Sequence, residues 1–137
     1  TIPAERMKMK QDHRIPLSDV AVEILWPLYD ARTSEFVFPG QKKGKPLSNL
    51  AMVMMLRRMK REDITVHGFR STFRDWCGDC TSFPREIAEA ALAHKVGSDV
   101  EQAYRRSDAL EKRRQLMKAW ADYCLGKEAG KVVALHG

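Results

Sequence analysis

His67 and Arg70 stand three residues apart, so on a helix or at its entrance they project to the same side. Arginine carries a planar, always-charged fork of donors that grips two oxygens of one phosphate. Histidine adds a donor or a proton carrier near neutral pH. His94 follows an apolar stretch at Leu92-Ala93, and Tyr104 stands in Ala103-Tyr104-Arg105-Arg106. Singly, each has a plain structural explanation. A capping histidine with a surface arginine fits the first pair, a last-turn histidine fits His94, and a core or surface tyrosine fits Tyr104. Their order, behind a lysine-bearing basic stretch near the start, is what points toward phosphate chemistry.

Elements must hold these residues in place. The chain has 137 residues, the size of one domain, with 44% hydrophobic and 31% charged residues, which excludes wholesale disorder and low-complexity structure. No apolar run approaches a membrane span, and no signal-peptide pattern opens the chain. Lys and Arg number 24 against 18 Asp and Glu, a net charge of +6 that suits a polyanionic partner. Three cysteines, an odd count, argue against a disulfide framework and for a reducing interior. A first residue of Thr1 suggests a piece cut from something longer.

Pro3 and Pro16 disfavour helix before them, so two short strand-like pieces are expected around a Lys-rich turn. Ser18 is read as the cap of a helix with Val20, Ile24, Leu25 and Leu28 on its inner face and a kink or early end at Pro27. Phe36-Val37-Phe38 reads as a short buried strand, followed by a basic loop from Gln41 to Pro46. Ser48 caps a further expected helix that turns Leu50, Val53, Met54 and Met55 inward.

Another helix is expected from His67 to Trp76, sharing Phe69, Phe73 and Trp76 on one side, and Pro84 opens the next through Ile87, Ala88, Ala91 and Leu92. Ser98 with Glu101 marks a short helix carrying Tyr104, and Asp108 with Glu111 a last one along Leu110, Met117, Trp120 and Cys124 that Gly126 ends. The fold class is mainly α with a small β-hairpin or sheet near the N-terminus. Residues 1–126 form the domain and 127–137 a tail.

Trp76-Cys77-Gly78-Asp79-Cys80 has the spacing of a dithiol redox site. Such a site needs a strand before it and a helix N-terminus at its first cysteine. Here a helical pattern runs up to Cys77, so the two thiols are read as small, semi-buried packing residues. Paired carboxylates with two-metal spacing and a Gly-rich phosphate loop are both lacking, so neither metal nor cofactor is expected.

The ordered set His67-Gly68-Phe69-Arg70, Leu92-Ala93-His94-Lys95 and Ala103-Tyr104-Arg105-Arg106-Ser107-Asp108 resembles the catalytic domain of tyrosine recombinases of the prophage-integrase type. Ala4 to Lys8, His13 to Ser18, and Phe38-Pro39 extend the likeness over nearly the whole chain. The resemblance implies that Tyr104 is the nucleophile, Arg70 the second of two phosphate-binding arginines, His67 the first residue of the H-x-x-R motif and His94 the later His/Trp position. Lys8 matches the hairpin lysine that acts as general acid, with Lys10 as its alternative. No metal or cofactor takes part in the chemistry so implied. It further implies double-stranded DNA as partner, a homotetramer on that DNA, no membrane, and a bacterial cytoplasmic location. The family's first arginine belongs upstream of the hairpin, so the chain is expected to be a truncated domain with little recombination activity by itself.

Overall fold

A computed structural model describes residues 1–94 and 109–127. Among them, a short 3-10 turn at Ala4–Arg6 precedes five α-helices: α1 (Asp19–Asp30), α2 (Ala51–Arg58), α3 (Gly68–Cys80), α4 (Arg85–Ala91) and α5 (Leu110–Cys124). None is long and apolar enough to cross a membrane. Two compact units divide the chain. One comprises Thr1–Ser18 and the described residues from Phe73 onward, the other Asp19–Thr72.

The core lies in the first of these units. Helical spacing puts Phe73, Trp76 and Cys77 on the buried side of α3, and Ile87, Ala88 and Leu92 on or just beyond α4. Leu116 of α5 is fully enclosed, and α4 packs against α5. Four aromatic rings gather here. Trp76 lies 5.0 Å from Trp120, 5.5 Å from Tyr123 and 6.2 Å from Phe73, while Phe73 meets Trp120 edge-on at 5.3 Å. Pro84 caps α4, so its missing N–H costs no helical bond. Beyond α5, Gly126 takes the left-handed conformation at φ 65 and its N–H reaches the Tyr123 carbonyl at 3.0 Å, which stops the helix.

The expected β-hairpin near the start is not formed as strands. Ile2 and His13 make a single antiparallel bridge, exchanging N–H···O=C bonds of 2.8 and 2.9 Å, and a 3-10 turn occupies part of the loop between them. The strand expected at Phe36-Val37-Phe38 is likewise absent, with one bridge between Pro39 and Pro46 beside it. Among the described residues the fold is therefore mainly α without strands. Prolines at 3, 16, 39 and 46 donate no ladder hydrogen bonds, which keeps each pairing from extending.

The Pro39–Pro46 bridge closes a tight basic loop. Gly40 donates its N–H to the Lys45 carbonyl at 2.7 Å, Lys45 donates to the Lys42 carbonyl at 3.1 Å, and Gly44 sits at φ 69. A Cβ on Gly40 would lie 2.3 Å from the Pro46 carbonyl oxygen, so only glycine fits there.

In the second unit the inward faces expected of its helices are not enclosed, and of the α1 set only Val20 and Leu25 reach half-burial. No residue from 19 to 72 is buried, and Ile24, Leu28, Leu50, Val53, Met54 and Met55 all remain open. A segment this short carries too few elements to enclose an interior within itself. The helix expected to kink or end at Pro27 runs on to Asp30, and the Ala31 N–H bonds the Pro27 carbonyl at 3.0 Å. Leu50 rather than Ser48 stands at the N-cap of α2, without a side-chain cap bond; Ser48 instead accepts the Ala51 N–H at its carbonyl.

Candidate active site

Thr65 sets the start of α3. Its Oγ1 and its carbonyl each accept the Gly68 N–H at 3.0 Å, satisfying a donor that the first helical turn leaves over. A Cβ on Gly68 would come within 3.2 Å of that Oγ1, so glycine keeps the cap close. His67 directly precedes the helix and takes the Arg70 N–H on its carbonyl at 3.0 Å. Both side chains are exposed on this turn, beside the positive end of the helix dipole, where an anion is favoured.

His94 is held by the end of α4. Its N–H bonds the Glu89 carbonyl at 2.9 Å and the Ala93 N–H bonds that of Ala90 at 3.2 Å, the paired bonds of a Schellman motif. Ala93 adopts φ 54, where glycine is the usual occupant. The Glu89 side chain then holds the same histidine again, with Oε2 2.6 Å from Nδ1. Oε1 accepts the Arg74 Nε–H at 2.8 Å and lies 3.6 Å from the Arg85 Nε. Glu89 is 7% exposed, and a carboxylate so buried needs such partners. The Arg74 hydrogen bond, with His94 assisting, holds its carboxyl below the usual range, against the upward pull of burial.

That shift has a sign. A lowered folded-state value means Glu89 lends its full stabilisation above its ordinary value of about 4.3 and loses it as the pH falls through the lower folded value. Urea midpoints of the chain should therefore drop on acidification below about pH 4. Glu89→Gln should show a shallower drop over the same window, and an equal slope in both proteins would contradict the assignment.

Lys8 lies in a turn that the Lys10 N–H closes onto the Met7 carbonyl at 3.1 Å, and both lysines are exposed. Lys10 itself takes φ 54. Arg113 of α5, 2% exposed, fastens this segment to α4: its Nη2 donates to the Arg14 carbonyl and its Nη1 to the Ala90 carbonyl at 3.3 Å. The Lys8 segment and the His94 segment of the first unit thus share one buried guanidinium.

The second unit accordingly brings His67 and Arg70 onto one turn, and the first holds Lys8 and His94 on elements joined through Arg113. Tyr104 and the short helix expected to carry it lie outside the described residues. Sequence reasoning missed Glu89, Arg74, Arg85 and Arg113. One signal was available: Glu89 interrupts the apolar run Ile87-Ala88-Glu89-Ala90-Ala91-Leu92, and a carboxylate there must find cations. Arg85 stands four residues before it, but Arg74 lies fifteen before it and across a turn, beyond the reach of local patterning.

The two cysteines at the end of α3 differ sharply. Cys77 is buried, which pushes its thiol up to about 11, whereas Cys80 is exposed. A redox nucleophile needs the opposite shift. Iodoacetamide at neutral pH should label Cys80 readily and Cys77 about 10²-fold more slowly until urea is added. Equal labelling, read by peptide mass spectrometry, would place Cys77 outside the core.

Residues 1–111 match the model of the phage integrase family. Prophage integrase IntA of Escherichia coli K12 is 40% identical over 98% of the chain, and the chain covers 33% of that protein. The integrase of Shigella phage Sf6 is 35% identical over 90% of the chain, with 33% of its own length covered. That of Enterobacteria phage P4 is 33% identical over 94% of the chain, with 30% covered. The chain thus spans about a third of the length of these relatives. No solved structure gives a significant match. With a match across most of its length, the chain belongs to the phage integrase family.

Proposed function

We propose that this chain supplies catalytic residues for site-specific DNA recombination, in which Tyr104 attacks a DNA phosphodiester. One observation carries the reading: the family match over 1–111 takes in Lys8, His67, Arg70, His94 and Tyr104 together. The Tyr104 oxygen bonds to the phosphorus, the bond to the 5′ oxygen breaks, and a 3′-phosphotyrosine results. Energy stays in that ester, so a 5′ hydroxyl from another strand reverses the step without ATP.

Each residue type suits its part. The phosphodiester is already anionic, and an attacking phenolate adds charge to its oxygens. Arg70, His67 and His94 offset that charge as it builds. Lys8, with Lys10 as alternative, hands a proton to the departing 5′ oxygen. The protein acts as a homotetramer on double-stranded attachment-site DNA, in the cytoplasm of a bacterial host.

The test is direct. A full-length integrase in which this chain supplies the matching third is incubated with labelled, nicked attachment-site DNA and denatured. The expected result is a covalent protein–DNA adduct whose peptide contains Tyr104. DNA held without any adduct would instead identify a non-catalytic basic DNA-binding module.

A further inference from the structure

We propose that Glu89 is the positioning residue for His94, fixing which of its ring nitrogens carries the proton and thereby which one faces the phosphate. The proposal rests on the recombinase reading for its role in the reaction, though not for its chemistry. Three observations converge on it. Glu89 is buried, its Oε2 lies 2.6 Å from His94 Nδ1, and its carbonyl binds the His94 N–H at 2.9 Å. One residue therefore holds the histidine by backbone and by side chain at once. Ala93 keeps a left-handed conformation between them, a cost that non-glycine residues rarely carry unless the surroundings impose it.

The proton's place follows from donors and acceptors alone. Arg74 Nε is a donor, so it binds only an acceptor, and Glu89 Oε1 receives it at 2.8 Å. An ionised carboxylate accepts at both oxygens, so His94 must donate from Nδ1. Nε2 then becomes the nitrogen that addresses anything beyond Glu89. It donates to a phosphate oxygen when the ring is charged and accepts when the ring is neutral. Arg74 and Arg85 complete the arrangement, since they keep the carboxylate ionised and turned toward the ring.

Replacing Glu89 with glutamine reverses this logic with little change of shape. The amide must turn its oxygen to Arg74, which leaves its NH₂ facing His94 Nδ1. A neutral His94 then has to accept at Nδ1 and carry its proton on Nε2. Long-range proton–nitrogen correlation spectra of the histidine-labelled chain, taken near pH 9 and above the ordinary imidazole value of about 6.5, report this directly.

The wild-type chain is expected to show His94 as the Nδ1–H form, and Glu89→Gln as the Nε2–H form. Arg74→Met, which keeps the carboxylate, is expected to retain Nδ1–H, so the tautomer tracks Glu89 rather than general disturbance. An Nε2–H form in the wild-type chain, or the same form in wild type and Glu89→Gln, overturns the proposal. The wild-type spectrum decides even if the glutamine variant fails to fold.

In the full-length integrase, Glu89→Gln should slow adduct formation about 10²-fold, the scale of one misplaced transition-state donor, with DNA retention little changed. An unchanged rate would remove Glu89 from the reaction. Failure of the recombinase reading itself would appear separately, as a wild-type integrase that forms no adduct or forms one that does not involve Tyr104, whereas the spectra need no DNA at all.

Discussion

Full-length integrase carrying Tyr104→Phe is expected to retain attachment-site DNA and to form no covalent adduct with it. The substitution deletes one oxygen and leaves the ring, so on the proposed reading it removes the attacking atom with the least other change. Loss of a nucleophile typically costs at least about 10⁴-fold, which takes adduct formation below detection on a denaturing gel. The chain's other tyrosines provide the controls. Tyr123 of α5 stacks on Trp120 at 5.5 Å, and Tyr29 of α1 lies under the Arg32 guanidinium at 3.9 Å, so both have structural occupations. Phenylalanine at 29 or 123 should leave the adduct in place. Adducts that survive Tyr104→Phe would transfer the role of nucleophile to another residue.

Trp76→Ala should destabilise the first unit by about 3–5 kcal/mol, the usual cost of deleting a large buried aromatic side chain. Trp76 is buried among Phe73, Trp120 and Tyr123, each within 6.2 Å ring to ring, so the cavity opens between α3 and α5. Small domains hold only about 5–15 kcal/mol in total, so the loss removes a large part of the margin. Trp26 offers the contrast. It is 60% exposed on α1, and Trp26→Ala should cost about 0.5 kcal/mol or less. Urea midpoints followed by far-ultraviolet circular dichroism separate the two, and equal shifts would contradict the placement of the core in α3, α4 and α5.

The sequence was legible where a residue's own chemistry decides the outcome. Helical spacing located Phe73 and Trp76 on the buried side of α3, Pro84 marked the start of α4, and Gly126 marked the end of α5. It misled where an element needs a partner. Ile24 on α1 and Leu50 beside α2 have the right periodicity for an inner face, yet periodicity says nothing about what stands opposite. The strands failed for a related reason: Ile2 and Phe38 have strand-forming side chains, but flanking prolines withhold the hydrogen bonds a ladder requires. Around the candidate site, His67, Arg70 and His94 stood out by type and order. Their supports did not, because Glu89 gains its meaning from Arg74 on a different helix, and Arg113 from the carbonyls of Arg14 and Ala90.

The closure at Gly40 bears on how the basic loop meets charged surfaces. With the Pro39–Pro46 bridge and the Lys42–Lys45 turn already in place, the backbone under Lys42, Lys43 and Lys45 has little freedom left to surrender. Were a polyanion to dock there, the ordering would fall mainly on side chains, and the entropic penalty of association would be smaller accordingly. Any larger residue at 40 would spring this clasp and turn a preset stud of positive charge into a floppy tether, even with every lysine still present.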